Sequence, residues 1–348
     1  MRLNGVGMAL LAAALFGAST PLAKGLLQDT SPQLLAGLLY LGSGAGLLLV
    51  WLVQRGRARR EAALSRRDLP WLAGAIATGG VLGPLLLMYG LLQAPASSAS
   101  LLLNLEGVFT TLIAWTVFRE HVPFRIAVGM VVIVAGGAML SWEGHVAWGS
   151  IWGPLAVAGA CLCWAVDNNL TQRVSAGDPV QIAQIKGLVA GTVNTGLALS
   201  LGARLPDPVP ASASLLVGFL GYGVSLVCFV LALRALGTAR TGAYFSLAPF
   251  IGAALGLLLY REPITPLFLV AAALMALGLW LHLSERHRHS HEHEPLEHSH
   301  AHLHDEHHQH AHGPGDPLGE PHTHPHRHDR LAHSHPHYPD IHHRHGHS

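Results

Sequence analysis

Apolar runs of about 20 residues follow one another through most of this 348-residue chain, interrupted only by short stretches rich in Pro, Gly and charge. A bilayer core about 30 Å thick is crossed by about 20 helical residues, and a spanning segment must satisfy its own backbone hydrogen bonds. The chain is 50% hydrophobic and 12% charged, where ordinary soluble domains carry about 25% charge. Of its 41 Asp, Glu, Lys and Arg residues, 14 lie from Arg286 onward, so the body before them is more apolar still. The sequence is built for lipid.

Cutting the runs at Pro, Gly and charge clusters gives ten segments: residues 4–27, 33–54, 70–92, 97–118, 123–142, 149–171, 180–202, 212–234, 239–260 and 264–283. Two cuts, at Gln93-Ala94-Pro95-Ala96 and at Arg261-Glu262-Pro263, leave only a few residues of connection. Both read as turns, because Pro disfavours helix in the residue before it. The start, MRLNGVGMALLAAALFGAS, has a signal-peptide look but reads as a first membrane helix, since the apolar runs simply continue. Arg55, Arg57, Arg59, Arg60, Arg66 and Arg67 crowd the second connection and assign it to the cytoplasm. Both termini then lie inside, with Arg2, Arg119, Arg125, Arg173, Arg234 and Arg240, while Lys24, Arg204 and Arg261 lie outside. The expected setting is a bacterial inner membrane.

The chain also matches itself. LNLEGVFTTLIAWTVFREHVPF (103–124) aligns with FSLAPFIGAALGLLLYREPITP (245–266), which sets Arg119-Glu120 on Arg261-Glu262 and Gly136 on Gly278. LFGASTPLAKG (15–25) aligns less closely with CWAVDNNLTQR (163–173). Five helices per repeat is an odd number, so the halves enter the membrane from opposite sides, an inverted repeat. The expected units are 1–142, 143–285 and a tail, 286–348.

In these features the chain resembles the EamA family of the drug/metabolite transporter superfamily: the first-helix FGASTPLAKG, the Arg-Glu with nearby Pro after the fourth helix of each repeat, and the Gly-rich fifth helices VGMVVIVAGGAML and LVAAALMALGLWL. The resemblance covers about residues 4–283. It implies two five-helix repeats and alternating access around a central cavity, and it leaves the solute open.

Ionisable groups within a span cost about 2.5–3.5 kcal/mol on insertion scales, so each needs a reason. Glu106, in SLLLNLEGVFTTLIAW, has no Lys or Arg near it in sequence. It is the first candidate for proton coupling or for holding a cationic solute, set against a neutral carboxyl bonded to a neighbouring helix. The aligned position in the second half is Ala248. Asp167, with Asn168 and Asn169, forms the most polar run of any span, and Lys186 lies at similar depth on the next helix, with Asn194 on the same face. Sequence neighbours joined by a short link normally pack together, which sets Asp167 and Lys186 for pairing, either as a structural tie or as a gate opened by a competing anionic or zwitterionic solute. Asn104, Asn168, Asn169 and Asn194 are candidates for solute binding or for bridging between helices. Tyr89, Tyr222 and Tyr244 are candidate cavity-lining residues. Trp142, Trp148 and Trp152 read as an interfacial belt, and Pro84 and Pro249 as hinges or sites of exposed carbonyls.

The tail holds 23 of the 26 histidines and few aliphatic residues, and is expected to be disordered. His291, His293, His298, His300, His302, His304, His307, His308, His310 and His312 are candidate ligands for Zn, Ni, Co or Cu. In the body only His121, His145 and His282 occur, all near helix ends. The three cysteines, Cys161, Cys163 and Cys228, form no disulfide or CxxC pattern. A net charge of +1 and the absence of any nucleic-acid motif exclude that class, and no nucleophile–base constellation, phosphate loop or cofactor fingerprint suggests an enzyme.

Three functions compete on these grounds. They are a secondary transporter of a small polar metabolite, running by proton coupling or exchange; a Zn, Ni or Co transporter whose tail captures the metal; and a non-transporting membrane metal buffer. No cofactor is required for the first. A monomer or homodimer fits each of them.

Overall fold

Helix satisfies its own backbone groups across lipid, and the body of the chain is built from it. The computed structural model describes residues 5–54, 64, 66, 68–117, 122–141, 151–174, 178–236 and 238–284, with 288–293, 296–302, 322–328 and 331–336 in the tail. The arginine-rich second connection apart from Arg66, Arg119-Glu120, His121, Trp142, His145 and Trp148 lie outside the described residues, as do His304, His307, His308, His310 and His312.

The helices of the first half are α1 Gly5–Leu26, α2 Pro32–Gln54, α3 Leu69–Ala75, a π-helical stretch Ile76–Leu82, α4 Gly83–Gln93, α5 Ala96–Leu102, α6 Leu105–Thr116 and α7 Phe124–Ser141. Those of the second are α8 Trp152–Val174, α9 Pro179–Ser200, α10 Pro208–Gly218, a second π-helical stretch Phe219–Val224, α11 Ser225–Leu236, α12 Thr238–Phe245, α13 Ala248–Tyr260 and α14 Pro266–Leu283. They form ten helical stretches among the described residues, near the ten segments read from the sequence. Six are long and apolar enough to cross a membrane by length and composition, and Ala248–Tyr260 and Pro266–Leu281 are shorter apolar helices.

Helix boundaries follow local chemistry. The Asp178 carboxylate accepts from the amides of Val180 and Gln181 at 2.8 and 3.4 Å ahead of Pro179, and Thr265 Oγ1 accepts from Phe268 N at 3.1 Å ahead of Pro266. Each is an N-cap followed by Pro where a missing N–H costs nothing. Interruptions recur in matching places of the two halves. A π-helical stretch lies within the third helical segment of each, and turns at 103–104 and 246–247 break the fourth.

The halves interlock. Helix α2 packs on α9, α7 on α14, α4 on α8, and α1 on α11 and α13. Small residues make the closest approach possible: a Cβ on Gly187 of α9 would stand 2.6 and 2.7 Å from the backbone N and Cα of Gly44 on α2. Helix α5 packs on α13 and α1, whereas α6, its continuation, packs on α8 and α7 and among the described residues has no comparable packing on α1, α11 or α12. Gly107 on α6 and Gly242 on α12 both have open space where a Cβ would stand.

Four short stretches of the tail are extended. Arg288–His293 pairs antiparallel with Leu331–Pro336, and Leu296–His302 with His322–His328. Backbone ladders need no apolar side chain, so composition does not exclude them, although two-stranded ladders are marginal in water on their own.

Gly187→Ala is expected to lower the midpoint of thermal unfolding in detergent, at a cost of about 1–3 kcal/mol from overpacking. Gly196→Ala, where nothing lies within 4 Å, is expected to leave it unchanged or raise it by up to about 1 kcal/mol.

Candidate functional site

The site begins with a proline. Pro84 has no amide hydrogen to give to the carbonyls one turn back, and the chain there is wound as a π-helix, with Gly83 N bonded to Thr78 O. The carbonyls of Gly79 and Gly80 take side-chain donors. Tyr40 Oη of α2 and Trp164 Nε1 of α8 donate to Gly79 O at 2.8 and 2.9 Å, and Asn194 Nδ2 of α9 donates to Gly80 O at 3.1 Å. Three helices are thereby anchored on one turn. An unsatisfied buried carbonyl costs about 1–3 kcal/mol, and these bonds remove that penalty.

Helix α8 crosses this anchor and presents Asp167, Asn168 and Asn169 in succession. Successive helical residues point about 100° apart, so the three reach different neighbours. Asp167, buried, meets Lys186 of α9, whose Nζ donates to Oδ1 and Oδ2 at 2.6 and 2.7 Å, while Thr171 Oγ1 donates to Oδ1 at 2.8 Å. Its carboxylate lies where a side chain on Gly79 would stand, so only glycine fits there. Exposed Asn168 donates through Nδ2 to Glu106 Oε1 at 2.8 Å, with Thr110 Oγ1 at 3.5 Å. Asn169 turns back to Ala165 O at 2.8 Å.

The two carboxylates are thus differently served. Asp167 has a cation. Glu106, half-buried beside exposed Gly107, has an amide and, among the described residues, no cation within ion-pair distance. An aromatic series leads away from the anchor: Tyr40 to Tyr222 at 5.5 Å between ring centroids, Tyr222 to Phe16 at 6.0 Å, Phe16 to Phe245 at 5.5 Å. It reaches α12 at Phe245, next in sequence to half-buried Tyr244, and continues to Phe229 of α11 at 4.7 Å.

The other expected site residues fall elsewhere. Asn104 sits in the α5–α6 break and donates to Leu101 O at 2.8 Å, which makes it a stabiliser of the break. Asn194 is fully buried on the Gly80 carbonyl, with Oδ1 lacking a partner. Pro249 follows the matching break at 246–247. Among the described residues no group of three His, Cys, Asp or Glu is placed to hold a metal. Sequence reading passed over Tyr40, Trp164, Thr110 and Thr171. Trp164 was the most findable, three residues before Asp167 on one helical face, whereas Tyr40 carries no local signal.

Removing one partner of a buried pair strands the other, at about 3–5 kcal/mol. Lys186→Met is therefore expected to lower thermal stability in detergent sharply, and Asp167→Asn combined with Lys186→Met to recover most of the loss. Additive losses in the double variant would argue against the pair.

Comparison with known proteins gives a consistent result. Two curated relatives are an "Uncharacterized transporter" of Methanothermobacter thermautotrophicus, 27% identical over 80% of this chain and 86% of the relative, and a "Probable terminal-alkyne amino-acid exporter" of Streptantibioticus cattleyicolor, 29% identical over 62% and 73%. A solved crystal structure superposes with a TM-score of 0.60 at 18% identity, covering 81% of this chain and 99% of the other, a likeness of fold. The model of the EamA-like transporter family matches twice, over residues 3–142 and 151–284. The chain belongs to the EamA-like transporter family and is a multi-pass membrane transporter, not an enzyme.

Proposed function

We propose that this transporter moves a small amine-bearing metabolite by alternating access, with ten crossing helices in two inverted repeats and both termini in the cytoplasm of a bacterium. The observation that carries the reading is the contrast between the carboxylates: Asp167 is neutralised by Lys186, while the Glu106 carboxylate, among the described residues, accepts from the Asn168 amide and meets no cation within ion-pair distance. A carboxylate without a cation inside a protein is a site for one, and the faces of Tyr40, Tyr222, Phe16 and Phe245 suit a cation as well. On the arginine-based orientation, α6 is the cytoplasmic half of its span. The solute enters between α6 and α12, where Gly107 and Gly242 leave space. The amino-acid exporter among the relatives supports an amine-bearing solute.

The test is counterflow in liposomes, with a panel of amino acids and their N-acetylated forms. Glu106→Gln is expected to reduce uptake of amines about ten-fold or more while the protein stays monodisperse. N-acetylation of the solute is expected to do the same to the parent. Undiminished counterflow in Glu106→Gln would remove Glu106 from the solute site.

The density of histidine beyond residue 286 favours a second property, capture of Zn, Ni, Co or Cu by the tail, serving either metal cargo or regulation of a metabolite carrier. Neutral imidazoles are the ligands, so affinity is present above the ordinary His range near 6.5 and is lost as pH falls through it. Deleting residues 286–348 is expected to abolish stoichiometric Zn binding by calorimetry at pH 7.5 and to leave amine counterflow intact. Zn entry into liposomes, followed with an entrapped dye, would instead support metal as cargo.

A further inference from the structure

At the start of α5, away from α6, the turn between α4 and α5 is gripped from both sides by residues that the solute site does not use. Lys24, in the last turn of α1, donates through Nζ to the carbonyls of Leu91, at 3.0 Å, and Ala94, closing the end of α4. Glu262, in the connection from α13 to α14, accepts from the amides of Ala96 and Ser97 at 2.7 and 3.0 Å, one on each carboxylate oxygen. Glu262 is near enough to Lys24 for electrostatic attraction but outside ion-pair contact. A third tie joins the same elements: Tyr260 Oη donates to Pro21 O at 2.7 Å, linking the end of α13 to α1.

The backbone is bent to serve this arrangement. Arg261, between Tyr260 and Glu262, has φ 50° and ψ 40°, the left-handed region that a non-glycine residue adopts at a cost. Gly252 and Gly256 let α13 approach α5 closely: a Cβ on Gly256 would stand 2.7 Å from Ser97 N, and one on Gly252 would stand 2.8 Å from Ser100 Oγ. Ser100 is 1% exposed, and its hydroxyl has no hydrogen-bond partner.

We propose that Lys24, Tyr260 and Glu262 form the outer gate of the transporter, shut in this conformation, and that opening to the outside requires their hydrogen bonds to the α4–α5 turn and to Pro21 to break. Two of the ties, those of Glu262 and Tyr260, run between the first half of the chain and α13 or its exit, and that of Lys24 holds α1 to the end of α4 at the same turn. The seal lies at the start of α5, at the other end of that span from α6, which among the described residues packs mainly on α8 and α7. The inference stands apart from the identity of the solute and from Glu106.

Labelling of Ser100→Cys in the full chain with a membrane-impermeant thiol reagent tests it, in vesicles of both orientations, with the parent chain as background. The reporter is expected to stay silent from the outer face with the gate intact. Lys24→Met and Glu262→Ala are each expected to raise outer-face labelling about three-fold or more. Tyr260→Phe, which removes only one hydroxyl, is expected to raise it less while preserving the fold.

The exchange Lys24→Glu with Glu262→Lys separates a gate made of directed bonds from simple charge attraction. It sets an acceptor against carbonyls and a donor against amides, so labelling is expected to remain high. Restored protection in the exchanged protein would overturn the assignment of these bonds. Labelling that does not change from the outer face in Glu262→Ala or Tyr260→Phe would overturn the gate itself.

Discussion

The missing amide hydrogen of Pro84 organises the centre of this protein. A buried carbonyl inside a membrane has no water to turn to, so the π-helical stretch before Pro84 must recruit donors from its neighbours. It recruits Tyr40, Trp164 and Asn194, from α2, α8 and α9. The Trp164 bond ties α8 to that turn, as those of Tyr40 and Asn194 tie α2 and α9. The Asp167 carboxylate then lies against the glycine face of the π-helix, where Lys186 reaches it, and Asn168 faces α6 and Glu106. Had residue 79 carried a side chain, α8 would have to retreat, and both polar contacts would loosen together.

The two ends of the molecule are held by different means. At one end, Glu262 and Tyr260 bond to main-chain groups of the first half, and Lys24 of α1 bonds to the end of α4, around the α4–α5 turn. At the other, α6 packs among the described residues mainly on α8 and α7. Helices α5 and α6 are one apolar stretch in the sequence but two elements in the structure, separated at 103–104, where Asn104 bonds to Leu101 O. The break lets α5 pack on α13 and α1 while α6 packs on α8 and α7. A matching break separates α12 from α13 in the second half, where both pieces pack on α1.

Relations among the polar residues were legible to very different degrees. The approach of Asp167 to Lys186 followed from a short connection between consecutive helices, and the two are paired. The bond between Glu106 and Asn168 was not legible, because it spans 62 positions and depends on which way α8 is rotated. Lys24 and Glu262 were noticed only as an outer positive charge and as part of a repeated Arg-Glu. Their grip on the α4–α5 turn needs the end of α1 and the α13–α14 connection brought together from opposite ends of the body.

By itself the sequence determined the solvent, the number and approximate limits of the helical stretches, and the family, because apolar length, Pro and Gly punctuation and the repeated Arg-Glu are local properties written in order along the chain. Tertiary structure decided which polar group meets which. A helix can present any side of itself until close packing at glycines such as Gly79 and Gly187, and the demand of freed carbonyls for donors, select one rotation. That selection leaves Asp167 with a cation, Glu106 with an amide, and the α4–α5 turn held by Lys24 and Glu262.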